Sequence, residues 1–152
     1  MLKVGFIGLG TMGFPIAGHI SKSYKTLVFN RTTNKSHKWT SEFEGEICES
    51  VKEIALKSEV IFLCLSEDRD IEEVVLGSDG ILEHLNGRTI VVDHSTTSVD
   101  TATLISRELL KKDSIFLDAP VSGGEAGAQN GTLSVMIGGD DLAYKQISPI
   151  LD

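Results

Sequence analysis

An apolar strand that runs directly into a glycine-spaced turn is the strongest constraint on what this chain can fold into. Val4 to Ile7 lead into Gly8, Leu9, Gly10, Thr11, Met12 and Gly13, the spacing G-x-G-x-x-G, and Met12, Ile16, Ala17 and Ile20 then recur at helical intervals. Each glycine has its own physical reason. Gly8 permits the tight strand-to-helix turn, Gly10 lets backbone approach a pyrophosphate, and Gly13 allows the helix to pack closely on the sheet, while free N–H groups at the helix start face the phosphate charge. The next apolar segment, Thr26 to Asn30, supplies the second strand of a β-α-β unit. A dinucleotide site is the expected outcome.

The rest of the chain repeats that alternation. Strand-length apolar runs occur at Lys3 to Ile7, Thr26 to Asn30, Gly45 to Cys48, Val60 to Leu65, Thr89 to Asp93, Ser114 to Ala119 and Leu133 to Ile137, most of them separated by helical stretches. Alternating strands and helices predict an α/β fold: a doubly wound, largely parallel Rossmann sheet with helices on both faces, which also explains why VIFLCL is apolar throughout. Leu133, Val135 and Ile137 alternate with Ser134 and Met136 and predict a half-buried strand near the sheet edge. Ser50 with Glu53 reads as a capping box, and Gly77 and Gly87 read as helix ends. Val99, Ala102, Ile105 and Leu109 read as the buried face of one longer helix.

The 152 residues fit one domain, and a chain of that length removes roughly two-thirds of its unfolded surface on folding. Its 14 basic and 22 acidic side chains give a net charge of -8, which argues against a nucleic-acid surface and offers no basic run to an anionic membrane. Cys48 and Cys64 lie in apolar segments without CxxC spacing and read as buried thiols. With the first strand starting two residues after Met1 and no apolar run near the roughly 20 residues of a membrane span, a soluble, cytoplasmic protein is expected. His19, His37, His84 and His94 are scattered without partners at ligand spacing, so no metal site is expected. Trp39 and Phe43, spaced i, i+4, read as core packing, and Asp118 before Pro120 reads as a loop-ordering residue rather than as one half of an acid/base pair with Glu125.

The type of dinucleotide is legible at the end of the second strand. NAD-binding versions of this fold place an Asp or Glu there to accept from the ribose hydroxyls. Here Asn30 leaves no carboxylate to repel a 2′-phosphate, and Arg31 beside it offers a forked guanidinium, with Thr32 and Lys35 close by in sequence. NADP(H) is favoured over NAD(H). A second glycine-rich segment, Phe116 to Leu133, sits at the carboxyl end of a strand, and its Ser122, Gly123 and Gly124 offer a hydroxyl and uncovered N–H groups suited to a carboxylate or phosphate.

Taken together, GFIGLGTMGFPIA, FNRT, VVDHSTTS and DAPVSGGEAGAQNGTLSVMIGG resemble the β-hydroxyacid dehydrogenase family, whose relatives include 3-hydroxyisobutyrate dehydrogenase. The likeness runs across essentially the whole chain, and the long second motif is far more specific than the glycine turn. 6-Phosphogluconate dehydrogenase shares the NRT and SGGE segments. The resemblance implies that Gly8, Gly10, Thr11 and Met12 hold the pyrophosphate and that Asn30, Arg31 and Thr32 surround the 2′-phosphate. It further implies that Leu65 and Ser66 flank the cofactor, that Thr96 lies near the nicotinamide ribose, and that Ser122, Gly123 and Gly124 grip the carboxylate of a small-molecule substrate. Members of the family carry an acid/base lysine on a second, all-helical domain. Lys145 does not match that lysine's glycine-rich context, so residues 1–152 are expected to be the NAD(P)-binding domain alone, with no catalytic acid or base. The resemblance is compatible with a homo-oligomeric full-length protein, and a stand-alone dinucleotide-binding module without turnover is the alternative reading.

Overall fold

The computed structural model describes residues 1–152. Six parallel strands form one sheet: β1 (Lys3–Ile7), β2 (Lys25–Phe29), β3 (Glu46–Ile47), β4 (Val60–Leu63), β5 (Ile90–Asp93) and β6 (Ile115–Asp118). Their order across the sheet is β3-β2-β1-β4-β5-β6. The chain winds outward from β1 to β3, crosses back, and winds the other way from β4 to β6, so the winding reverses between β1 and β4. Crevices at such reversals, outside the carboxyl ends of the strands, are where open α/β sheets bind ligands.

Seven helices complete the fold: α1 (Gly13–Ser21), α2 (Thr33–Glu42), α3 (Val51–Lys57), α4 (Asp68–Leu76), α5 (Val99–Leu110), α6 (Gly124–Asn130) and α7 (Asp141–Leu151). Side chains alternate across each strand, which divides the core into two layers. Val4, Phe6, Val28, Phe62, Val92 and Leu117 face α1, α2 and α7, where Ala17, Trp39, Ala143 and Ile147 are fully buried. Ile7, Leu27, Ile61, Leu63 and Val91 face α3, α4 and α5 with Ile54, Ile71, Val75, Ile105 and Leu109. All four residues of β4 are buried, as a central strand covered on both faces requires. Phe6, Phe62 and the His94 ring stack in sequence through the first layer.

Local signals hold at several boundaries. Ser50 Oγ accepts from the Glu53 N–H at 3.1 Å while the Glu53 carboxylate accepts from the Glu49 N–H at 2.8 Å, one residue earlier than the usual reciprocal partner. Gly77 ends α4, in an extended rather than left-handed conformation. Gly87 stands beyond the single 3-10 turn Leu82–His84 with φ of 100°, and Leu85 is the residue that ends that turn. Trp39 is fully buried against Phe43, its indole N–H donating to the Phe14 carbonyl at 3.2 Å. Cys48 is buried and Cys64 half-buried, both as free thiols.

Two expectations are corrected. Leu133 to Ile137 is not a strand of the main sheet. Only Ser134–Val135 (β8) is extended, and it pairs antiparallel with Val121–Ser122 (β7) as a separate ribbon, tied to the edge strand β6 through a bridge between Asp118 and Gly138. The alternation was real, but Val135 and Ile137 pack against the first core layer without joining the main sheet. Val99 is 81% exposed, because it opens α5 immediately after the capping Ser98, and Thr101 takes the inward position instead.

Candidate functional site

The glycine turn is held from three sides. Gly8 donates its N–H to the Phe29 carbonyl at 3.1 Å and has φ of 102°, and a Cβ there would lie 2.2 Å from the Cys64 carbonyl oxygen. Gly13 is as constrained: its Cβ would fall 1.9 Å from the Gly8 oxygen. Gly10 is different, with nothing within 4 Å of the position a side chain would take. Open space over the middle glycine, between two glycines that are locked by backbone, is the cradle a pyrophosphate needs. Thr11 is exposed beside it, and Met12 is the cap residue before α1.

Asn30 explains why the turn stays open. Its side-chain carbonyl accepts from the Leu9 N–H at 2.8 Å and its amide donates to the Thr32 carbonyl at 3.1 Å. One residue at the end of β2 therefore braces both the glycine turn and the start of α2. Arg31 and Thr32 are exposed. Next to them is a cleft of about 390 Å³ lined by Gly8, Gly10, Asn30, Arg31, Thr32, Leu65 and Ser66, with Lys35 also on its lining and Phe29, Val51 and Val74 supplying apolar walls. Asp70, Glu73 and Asp79 also line it. The structure thus gathers seven of the residues singled out from the sequence around one cavity at the β1/β4 reversal.

The remaining ones stand outside that cleft. Thr96 is exposed in the loop after β5, next to a buried network that sequence reasoning did not find. Asp93, fully buried, accepts from the Ser95 N–H at 2.9 Å and from the Thr97 hydroxyl, and Ser95 Oγ in turn accepts from the Leu65 N–H at 2.8 Å. The strand-end carboxylate therefore fixes the loops after both β4 and β5. The available signal was the polar run Asp-His-Ser-Thr-Thr after an apolar strand, a composition suited to side chains that fold back on their own backbone. Ser122, Gly123 and Gly124 are exposed, Gly123 with φ of 136° and Gly124 with φ of 64° at the start of α6. Glu125 and Gln129 of α6 share a second cavity with Gly10 and Thr11, which puts this segment beside the glycine turn.

Burial decides the charge state of several groups here. It pushes the Cys64 thiol up to about 11, with the Asp93 charge adding to the effect, so Cys64 is a neutral wall of the cleft at pH 7 and no nucleophile. Burial also raises Asp93, against the opposing hydrogen bonds from Thr97 and Ser95, and raises Asp118, where Asp93 adds repulsion. These two aspartates are register partners at the ends of β5 and β6, and Asp118 Oδ1 is buried without a partner. His94, held low by burial, donates from Nδ1 to the Ala119 carbonyl at 2.7 Å. His84 does have carboxylate neighbours, contrary to the sequence expectation: Asp79, Glu83 and His84 bring their ligand-type atoms within 4.8 Å on the surface, with His84 Nε2 3.2 Å from Asp79 Oδ1. Lys145 is exposed on α7.

Residues 3–152 match the family described as the NAD binding domain of 6-phosphogluconate dehydrogenase. The chain belongs to this family. It is 43% identical over 152 residues to an uncharacterized oxidoreductase of Shewanella frigidimarina, covering 99% of this chain and 52% of the relative. Among solved structures, Mycobacterium tuberculosis 3-hydroxyisobutyrate dehydrogenase, with L-serine, superposes with a TM-score of 0.91 at 26% identity, covering 99% of this chain and 51% of that one. Plasmodium falciparum 6-phosphogluconate dehydrogenase, described in apo form, with NADP+ and with 6-phosphogluconate, gives a TM-score of 0.81 at 27% identity, covering 98% of this chain and 33% of that one. The chain spans about half the length of the curated relatives it matches. No helix is long and apolar enough to cross a membrane. For a member of this family, the open Gly10 and the lined cleft fit the dinucleotide that its description names.

Proposed function

We propose that this chain is the cofactor domain of an NADP(H)-dependent oxidoreductase acting on a small β-hydroxyacid or the corresponding semialdehyde. The end of β2 carries the cofactor part of that reading. Asn30 contributes no charge and spends its side chain on Leu9 and Thr32, while the Arg31 guanidinium is exposed at the cleft. A carboxylate there would favour ribose hydroxyls and repel a phosphate, whereas an arginine gains a charge-assisted pair with the 2′-phosphate.

The bound nicotinamide would supply or accept hydride at its C4. The chain's own residues do the rest of the binding work in this reading. N–H groups at Gly10 to Met12 hold the pyrophosphate, and Arg31 and Thr32 hold the 2′-phosphate. Phe29, Val51 and Val74 offer apolar surface to a flat ring. Leu65, Ser66 and Thr96 flank the cofactor on loops that Asp93 and Ser95 keep in place. Ser122, Gly123 and Gly124 hold the substrate carboxylate through a hydroxyl and uncovered N–H groups. The acid/base lysine comes from the helical domain that the family resemblance implies, and residues 1–152 alone turn over no semialdehyde, because proton transfer and positioning are each worth several powers of ten in rate. A homo-oligomeric, cytoplasmic full-length enzyme completes the reading.

Calorimetric titration of this chain with NADPH and NADH tests the cofactor assignment. NADPH is expected to bind more tightly, and Arg31→Ala to remove about 1.5 to 3 kcal/mol of that preference, the scale of a hydrogen bond to a charged group. Equal affinities before mutation would overturn it.

A further inference from the structure

The two turns that the proposed function assigns to ligands each open a short helix. Gly8 to Gly13 opens α1 and Ser122 to Gly124 opens α6, and a side chain joins the two helices. His19, on the last turn of α1, has its Nε2 2.9 Å from the Gln129 carbonyl in α6, and its Nδ1 3.3 Å from Lys22 Nζ. An ammonium can only donate, so Nδ1 accepts and the proton sits on Nε2, which donates to Gln129. The Gln129 carbonyl is one of the last four of α6, which lack partners inside their own helix. Gly131, in the left-handed conformation with φ of 68°, turns the chain directly under the ring: a Cβ there would lie 3.2 Å from His19 Cε1. The imidazole therefore closes the carboxyl end of α6 from outside.

The consequence is geometric. α1 has nine residues and is about 13 Å long, a rigid rod with the glycine turn at one end and His19 near the other. α6 has seven residues, too short to be stable by its own hydrogen bonds, and depends on the contacts of Gly127, Ala128 and its carboxyl end for its position. Its amino end follows Gly123 and Gly124, both at positive φ, and the two-residue strand β7. We propose that His19 is a positioning residue that, by holding the Gln129 carbonyl, sets where Ser122, Gly123 and Gly124 stand relative to the pyrophosphate turn. The proposal rests on the reading that those three residues receive the substrate carboxylate. It makes α1 the element through which one dinucleotide site and one carboxylate site share a common frame.

Two measurements separate the proposal from that reading. Hydrogen–deuterium exchange on this chain is expected to show amides of 125–131 exchanging about five- to tenfold faster in His19→Ala, the scale of one lost hydrogen bond, with the core strands unchanged. His19→Asn, which keeps an N–H donor, should recover most of the protection, and His19→Phe, which keeps the ring without a donor, should not. In the full-length enzyme assayed with 3-hydroxyisobutyrate, His19→Ala should raise the KM for the acid by a similar factor, with kcat and the KM for NADP+ within about twofold of the parent. Unchanged exchange in His19→Ala, or rescue by Phe equal to rescue by Asn, overturns the positioning role. Faster exchange with an unchanged KM for the acid leaves His19 as the holder of α6 and overturns the carboxylate reading instead.

Discussion

The glycine turn after β1 and the glycine turn before α6 share a composition and differ in what makes glycine necessary. At the first, crowding decides, at Gly8 on top of a positive φ of 102°. Gly8 and Gly13 have backbone oxygens about 2 Å from where a Cβ would stand, because the turn is pressed between β4 and its own helix. At the second, handedness decides. Gly124 has φ of 64° with nothing within 4 Å of a Cβ position, and Gly123 has φ of 136° with the Leu133 side chain 3.0 Å away and backbone no nearer than 3.6 Å. Crowding against a sheet is rigid and buried. Backbone handedness on an exposed ribbon is a local preference that neighbours do not enforce. Under the proposed function the first kind would hold phosphates and the second would receive a small acid.

The largest effect that could break this contrast is at Gly8. Gly8→Ala should cost about 3 kcal/mol or more in urea unfolding, since the added methyl meets the Cys64 carbonyl at a φ that L-residues rarely adopt. A stable variant would show that the turn can relax. Next comes Gly10→Val, which should leave the unfolding midpoint nearly unchanged and reduce cofactor affinity by at least about 100-fold, roughly 2.7 kcal/mol, because the space around Gly10 is free of protein but is the space assigned to pyrophosphate. Circular dichroism and cofactor titration on one sample separate the two effects, and retained binding would reduce Gly10 to a turn residue. At the second turn, Gly124→Ala should cost only about 1 to 2 kcal/mol, the penalty of a left-handed conformation without a clash, and Gly124→Asn less, since asparagine tolerates that region. A loss as large as at Gly8 would mean that the ribbon is enforced by packing after all.

The smallest expected effect concerns the edge between the two regions, where Asp118 joins β6 to the ribbon. Its carboxyl is raised above the ordinary 3.8 by burial and by Asp93. Folding therefore favours the protonated form, so this stabilising contribution is complete below pH 3.8 and declines as pH rises through the folded-state value. Asp118→Asn should flatten the fall in stability as pH rises above 3.8, leaving the part due to Asp93, which is shifted in the same direction. Denaturation midpoints across that range check it, and an unchanged slope would mean that the orphaned Oδ1 is solvated in solution.

Much of the first region was legible because its causes are local. The glycine spacing, the apolar strand before it and the helical period after it lie within about 20 residues, and the prediction of a doubly wound sheet follows from repeated β-α alternation. The architecture of the second region was not legible. The alternation at Leu133, Val135 and Ile137 fits a sheet edge as well as a two-stranded ribbon, and a two-residue strand such as Val121–Ser122 carries too little pattern to be seen. Asp93 and His19 escaped for a related reason. Their partners Leu65 and Gln129 are 28 and 110 residues away, reached through Ser95 in one case and directly in the other, and separations of that kind leave no spacing to read.

The sequence by itself determined the strand-turn-helix at Gly8, the two-faced burial of β4, the neutral Asn30 beside Arg31 and the family likeness, all of which follow from residue type and short-range spacing. Only the tertiary structure decided that Asn30 braces Leu9, that Asp93 ties the loops after β4 and β5 together, and that β7 and β8 leave the sheet. The physical reason is one of range. Backbone conformation and amphipathic period are set by near neighbours, whereas a buried polar group must find its partner wherever the packed chain happens to bring one, and that is fixed only when the whole sheet has closed.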